Sequence, residues 1–167
     1  IKSVIYDLPK LKKVGFYWMH RCNKLTNVEF HNLNMLESVS YGWLSRCEKL
    51  IEINFNKLNK LKSVGNYWMR DCTALQYVSF NNMKSLEKVD SNWMSGCKNL
   101  QKVEFNKMNS LKQVGSDWMS GCVKLIKIDF NRMNSLEKVG SYWMSRCISL
   151  KIINFWRLRR LQNVGSS

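Results

Sequence analysis

Long apolar runs, histidine and clustered acids are what this 167-residue chain has least of. No apolar stretch exceeds a few residues, which excludes a membrane-spanning helix. The only histidines, His20 and His31, stand in different rows of the pattern described below, so no His-based metal site is expected. The 12 Asp and Glu residues are scattered. No His accompanies an isolated Ser or Cys, and no glycine-rich phosphate loop follows a strand pattern. The chain therefore reads as a non-enzyme with neither cofactor nor metal. Proline occurs once, as Pro9. No basic-then-apolar leader is visible and residue 1 is Ile, so a processed form or a fragment is expected.

What is abundant is positive charge and apolar residues in register. Lys and Arg number 27, giving a net charge of +15. Such a field draws in anions over long range. The 45% hydrophobic content is that of a folded protein.

The decisive feature is self-similarity. Leu11, Leu36, Leu61, Leu86, Leu111, Leu136 and Leu161 open successive phrases, always 25 residues apart. The chain is read as one array over 1–167: a partial first unit 1–10, six full units from 11 to 160, and a partial unit 161–167. In the second full unit the apolar positions are Leu36, Val39, Trp43, Leu44, Cys47, Leu50, Ile53, Phe55 and Leu58. One unit alone cannot bury these side chains, whereas stacked units share a continuous core.

Within a unit, Ile53 and Phe55 alternate with polar residues, which predicts a short half-buried strand. Leu61–Val64 predicts a second extended piece, ending at Gly65, where a turn of positive φ is expected. Gly15, Gly115, Gly140 and Gly165 recur there, with Ser40 and Asp90 as exceptions. Trp68, Cys72 and Leu75 follow i, i+4, i+7 spacing, which predicts a short helical segment with Ser91, Ser116 and Ser141 as N-caps of its equivalents.

The phrases CxxLxxVxF and LxxVGxxWMxxC resemble the BspA-type, or treponemal-type, leucine-rich repeat. The departures are Trp-Met in place of the usual Ala-Phe (Trp43-Leu44 once) and a unit two residues longer. The resemblance implies an α/β repeat solenoid. That solenoid would be a right-handed leucine-rich-repeat coil, with a parallel concave sheet and short helical or turn segments on the convex side. It also implies a cell-surface or secreted home and a recognition role. The absence of any Asn-x-Ser/Thr sequon, with cysteines that read as reduced, leaves an intracellular home open.

Cys22, Cys47, Cys72, Cys97, Cys122 and Cys147 occupy one repeat position and form a column. Equivalent side chains point in parallel rather than at each other, so buried free thiols are expected. The six register-locked tryptophans, from Trp18 to Trp143, read as core. Trp156 stands outside that column and is expected to be exposed, in an end-capping role.

Binding specificity is expected where the scaffold lets residues vary. The first outward strand column is Asn27, Glu52, Tyr77, Lys102, Lys127 and Ile152. The second is Glu29, Asn54, Ser79, Glu104, Asp129 and Asn154. Both are expected to contact a protein or glycan on the concave face. A third column, His31, Asn56, Asn81, Asn106, Asn131 and Trp156, reads as mainly structural. An anion-binding edge is expected from Lys57, Lys84, Lys107, Arg132, Arg157, Arg159 and Arg160, drawing polyanions without base reading. The alternative reading is a self-assembling scaffold that stacks end to end. The first coil would leave Ile1, Val4, Leu11, Val14 and Trp18 uncovered, so the chain is expected either to continue into a longer polypeptide or to associate with another copy.

Overall fold

The computed structural model describes residues 2–166; Ile1, expected at the open first coil, lies outside them. Two kinds of strand alternate along the chain. The longer ones are Ser3–Asp7 (β1), Asn27–His31 (β3), Glu52–Asn54 (β5), Tyr77–Ser79 (β7), Lys102–Glu104 (β9), Lys127–Asp129 (β11) and Ile152–Asn154 (β13). Between them lie two-residue strands: Lys13–Val14 (β2), Ser38–Val39 (β4), Ser63–Val64 (β6), Lys88–Val89 (β8), Gln113–Val114 (β10), Lys138–Val139 (β12) and Asn163–Val164 (β14). Each strand pairs in parallel with its equivalent one unit away: Val64 with Val89 and Val78 with Val103, for example. The even-numbered strands form one seven-stranded sheet, and the odd-numbered ones form three short sheets, β1-β3, β5-β7-β9 and β11-β13. The result is a parallel-strand solenoid of about six turns.

The repeated apolar positions fill its interior. Trp43, Trp68, Trp93 and Trp118 are fully buried, as are Phe55, Phe80 and Phe130. Indole ring centres of consecutive coils lie 5.1–5.7 Å apart, with planes within 8° of parallel. A column of phenylalanines runs beside them at 5.3–6.0 Å spacing, from Phe30–Phe55 to Phe130–Phe155. The two columns meet edge to face, as in Trp68–Phe80 at 73°. Offset and edge-to-face contacts of this kind add about 0.5–1.5 kcal/mol each beyond area burial. The Nε1 atoms of Trp43, Trp68, Trp93, Trp118 and Trp143 are buried without a hydrogen-bond partner, so stacking outweighs an orphaned donor in every coil.

The expected helical segment is absent: the described residues contain no helix. Tyr67, Met69 and Asp71 have φ of 64°, 53° and 56°, and the same three positions are left-handed in every full unit. The reason is spacing. Neighbouring helices need 8–10 Å between axes, whereas these coils follow one another at the 5.1–5.7 Å of the indole stack. Alternating left-handed residues instead turn the amides toward adjacent coils. The Tyr67 amide donates forward to the Ser91 carbonyl (2.9 Å), Met69 back to Trp43 (2.9 Å) and Asp71 forward to Ser95 (2.8 Å). The serines expected as caps form a ladder instead. The Ser116 amide donates to Ser91 Oγ (3.0 Å) and the Ser141 amide to Ser116 Oγ (3.2 Å).

The glycine expectation also needs correcting. Gly15, Gly65, Gly115, Gly140 and Gly165 do not have positive φ, and neither do Ser40 and Asp90. A Cβ on Gly65 would lie 2.9 Å from the Tyr41 amide nitrogen, and one on Gly115 would lie 2.5 Å from that of Ser91. From Gly65 onward glycine stands there because the preceding coil's backbone comes close, whereas a Cβ on Gly15 would meet nothing within 4 Å.

The cysteines are unpaired, with Cys47, Cys72, Cys97 and Cys122 fully buried and Cys22 and Cys147 half-buried at the ends. Each thiol from Cys47 onward donates to a carbonyl of the preceding coil, such as Cys72 to Leu44 (3.1 Å) and Cys97 to Met69 (3.1 Å). Burial is the largest cause pushing the Cys47 and Cys97 thiols up from their usual range. Native protein is therefore expected to react slowly with a thiol reagent, chiefly at Cys22 and Cys147, and to yield six thiols once denatured without reductant. Fewer than six would mean disulfides or modification.

Candidate functional site: the outer face of the longer strands

Alternation along each odd-numbered strand sends Ile53 and Phe55 inward and Glu52 and Asn54 outward. Parallel, in-register pairing then aligns equivalent outward residues into columns: Glu52, Tyr77 and Lys102 in one, Asn54, Ser79 and Glu104 in the next. Of the first column, Glu52, Lys102, Lys127 and Ile152 are exposed, and Asn27 and Tyr77 half-buried. Of the second, Glu29, Asn54 and Asp129 are exposed, and Glu104 and Asn154 half-buried. Ser79 differs from expectation. It is only 1% exposed, and its hydroxyl donates to Asn56 Oδ1 (3.0 Å). It is the smallest side chain of its column, flanked in register by Asn54 and Glu104, so it supports the face rather than presenting itself.

Two local networks preset this surface. Glu104 accepts from Lys102 Nζ (2.7 Å), Tyr77 Oη (2.9 Å) and Asn81 Nδ2 (2.8 Å). Lys102 Nζ also sits 5.3 Å from the centre of the Tyr77 ring. These bonds, that from Lys102 foremost, hold the Glu104 carboxyl below its usual range. The network is therefore intact at neutral pH and loosens as pH falls through that lowered value. On the first coils, Glu29 accepts from Asn27 (3.3 Å) and His31 (3.1 Å). The third column links coils as well: Asn81 Oδ1 accepts the Asn106 amide at 3.0 Å.

An open depression lies over the first three of these coils. Asn27, Glu29, Glu52, Asn54 and Tyr77 line it, joined by His31, Asn56 and Asn81 of the third column and Lys57 of the basic edge. Lys102, Lys127, Asp129, Ile152 and Asn154 lie beyond it, so the face is not uniform along the stack. The third column's share in it was missed in the sequence because its asparagines repeat so regularly that they read as scaffold.

The basic edge runs beside this face and meets it at Lys57. Lys57, Lys84, Lys107, Arg132, Arg157, Arg159 and Arg160 are all exposed, and among the described residues none has an ion-pair partner. Six other Lys and Arg side chains do form ion pairs, as Lys88 with Asp90 at 2.8 Å. Retention on heparin is expected to fall steeply between low and high salt through counterion release. Changing Lys57, Lys84, Lys107 and Arg132 to Glu should abolish most of it. Retention indifferent to both would remove the edge as an anion site.

Among the described residues no three metal-ligating side chains converge, and no helix is long and apolar enough to cross a membrane.

The family model for the BspA type leucine rich repeat region matches residues 2–107 and 79–167, in six copies. The chain belongs to this family. This BspA-type chain is also similar to a leucine-rich repeat protein from Bacteroides ovatus whose crystal structure is solved. The two are 25% identical, with a TM-score of 0.60 over 99% of this chain. The match spans 45% of the Bacteroides chain, so this chain covers less than half of that protein. A leucine rich cell surface protein from Faecalibacterium prausnitzii matches over 89% of this chain and 70% of its own, at 13% identity and a TM-score of 0.21. No curated protein matches. The BspA-type repeat accounts for the coil, and its family and fold are generally non-catalytic.

Proposed function

We propose that this chain is a non-catalytic recognition module that binds a protein or glycan through the outer face of its longer strands, the concave face in the resembling repeats. One observation carries this reading. Inward positions repeat almost unchanged, while the first outward column runs through Asn27, Glu52, Tyr77, Lys102, Lys127 and Ile152 on strands paired in register within three short parallel sheets. Six coils present an extended polar surface rather than an enclosed cavity, which suits a macromolecular partner over a small one. The family resemblance supports a cell-surface or secreted home, and an intracellular one stays open.

The test is a binding screen of the chain against purified proteins and oligosaccharides, followed by single changes on any ligand found. Glu52→Lys, Tyr77→Ala and Lys102→Glu are each expected to weaken binding by about tenfold. Binding that ignores all three, yet responds to Lys107→Glu and Arg132→Glu, which lie outside the depression, would move the function to the basic edge.

A further inference from the structure

One edge of the first three coils carries a cluster of aromatic side chains that no later coil repeats. Phe16, Tyr41 and Tyr67 lie in a row across adjacent coils, with ring centres 5.3 and 5.8 Å apart. Tyr17 abuts the row, its hydroxyl 2.6 Å from that of Tyr41. Phe16 is 70% exposed and Tyr17 50%. The core needs none of them. Later coils carry Ser91, Ser116 and Ser141 at the position of Phe16 and Tyr41, and Asn92, Asp117 and a lone Tyr142 at that of Tyr17 and Tyr67.

The rings border a small open depression floored by Gly65, with Asn66 and Asp90 on its wall. A side chain at Gly65 would meet the backbone of Ser40 and Tyr41, so the floor stays open. Asn66 Oδ1 already accepts the Ser91 amide (2.9 Å), which leaves its Nδ2 as a donor. Asp90 uses Oδ1 for Lys88 (2.8 Å) and keeps Oδ2 as an acceptor. No Lys or Arg lines the depression, although the chain carries 27 of them.

We propose that this aromatic edge is a second binding site, for a neutral oligosaccharide, distinct from the strand face. Sugar rings offer apolar C–H faces and hydroxyls that both donate and accept. Tyrosine and phenylalanine rings supply the matching electron-rich faces, and Asn66 and Asp90 supply one donor and one acceptor beside them. The neighbouring cations are already engaged, Lys88 with Asp90 (2.8 Å) and Arg70 with Asp71 (3.4 Å) and the Tyr67 ring (5.2 Å), so a sulfated glycan or nucleic acid finds no unpaired cation here, whereas the basic edge offers several. Three rings over three coils match a ligand of two or three sugar units.

The test uses the whole chain and neutral hexasaccharides of β-1,4-glucan, α-1,4-glucan, β-1,4-mannan and β-1,4-linked N-acetylglucosamine, measured by calorimetry and by NMR shifts. The variant Phe16→Ser, Tyr41→Ser, Tyr67→Asn installs residues the same coil positions already hold elsewhere, so it keeps the fold; far-UV circular dichroism confirms it. At least one hexasaccharide is expected to bind at about millimolar strength, and the triple variant to bind it at least about tenfold more weakly. Tyr142→Asn, at an exposed tyrosine outside the row, should leave binding unchanged. No binding by any of the four, binding retained by the triple variant, or binding lost instead in Glu52→Lys would each overturn the proposal.

Discussion

Replacing Trp68 with Ala is expected to cost about 3–5 kcal/mol of stability, the range for deleting a fully buried aromatic. Trp68 is 0% exposed, stacks on Trp43 at 5.4 Å and Trp93 at 5.1 Å, and meets Phe55 and Phe80 edge to face at 5.1 Å each. No adjacent side chain can close the gap without leaving its own stack. A domain this size is stable by about 5–15 kcal/mol in all, so much of the folded margin goes. In a solenoid the loss falls on both interfaces of one coil and uncouples the halves. Guanidinium unfolding followed by circular dichroism reads it as a large drop in midpoint. Trp156→Ala, at an 84% exposed side chain, should stay within about 0.5 kcal/mol of the parent. Equal effects would contradict the assignment of one tryptophan row to the core.

The second large effect concerns two glycines that look alike in the sequence and are required for different reasons. Gly121 has φ +74°, and a Cβ there would have nothing nearer than 3.8 Å. Space is available, so only the left-handed backbone penalises a side chain. Gly121→Val is expected to cost about 1–3 kcal/mol, and Gly121→Asn to be nearly neutral, because Asn visits that region readily. Gly140 has ordinary φ, but a Cβ there would collide with the Ser116 backbone. Gly140→Ala should therefore destabilise although Ala suits the conformation. Thermal melts of the three variants check the pattern. A harmless Gly121→Val would show that the left-handed positions are not enforced.

The fold was legible wherever a side chain's chemistry repeats. Trp68, Cys72, Leu75, Val78 and Phe80 declared a shared core because no single unit could bury them. The segment from Tyr67 to Cys72 was misread because i, i+4, i+7 spacing marks a buried face without fixing the backbone that carries it. Consecutive turns bury Trp68, Cys72 and Leu75 as well as a helix would. Only the spacing between coils, which no single unit reveals, decides against the helix. Gly65 was misread for the same reason, since its constraint lies in the coil before it. On the outer face, alternation located both columns, but not that Ser79 is covered or that the depression favours the first three coils. Those depend on the lengths of side chains one coil away.

The central claim is that the coil and its recognition surface are separable. The most direct measurement blanks the first outward column, changing Asn27, Glu52, Tyr77, Lys102, Lys127 and Ile152 to Ser together. Melting temperature and binding to a ligand found in the screen are then measured on the same protein. The account predicts a solenoid that still unfolds cooperatively within a few degrees of the parent, and binding reduced beyond detection. Unchanged binding by the blanked face would contradict it, as would a chain that no longer folds.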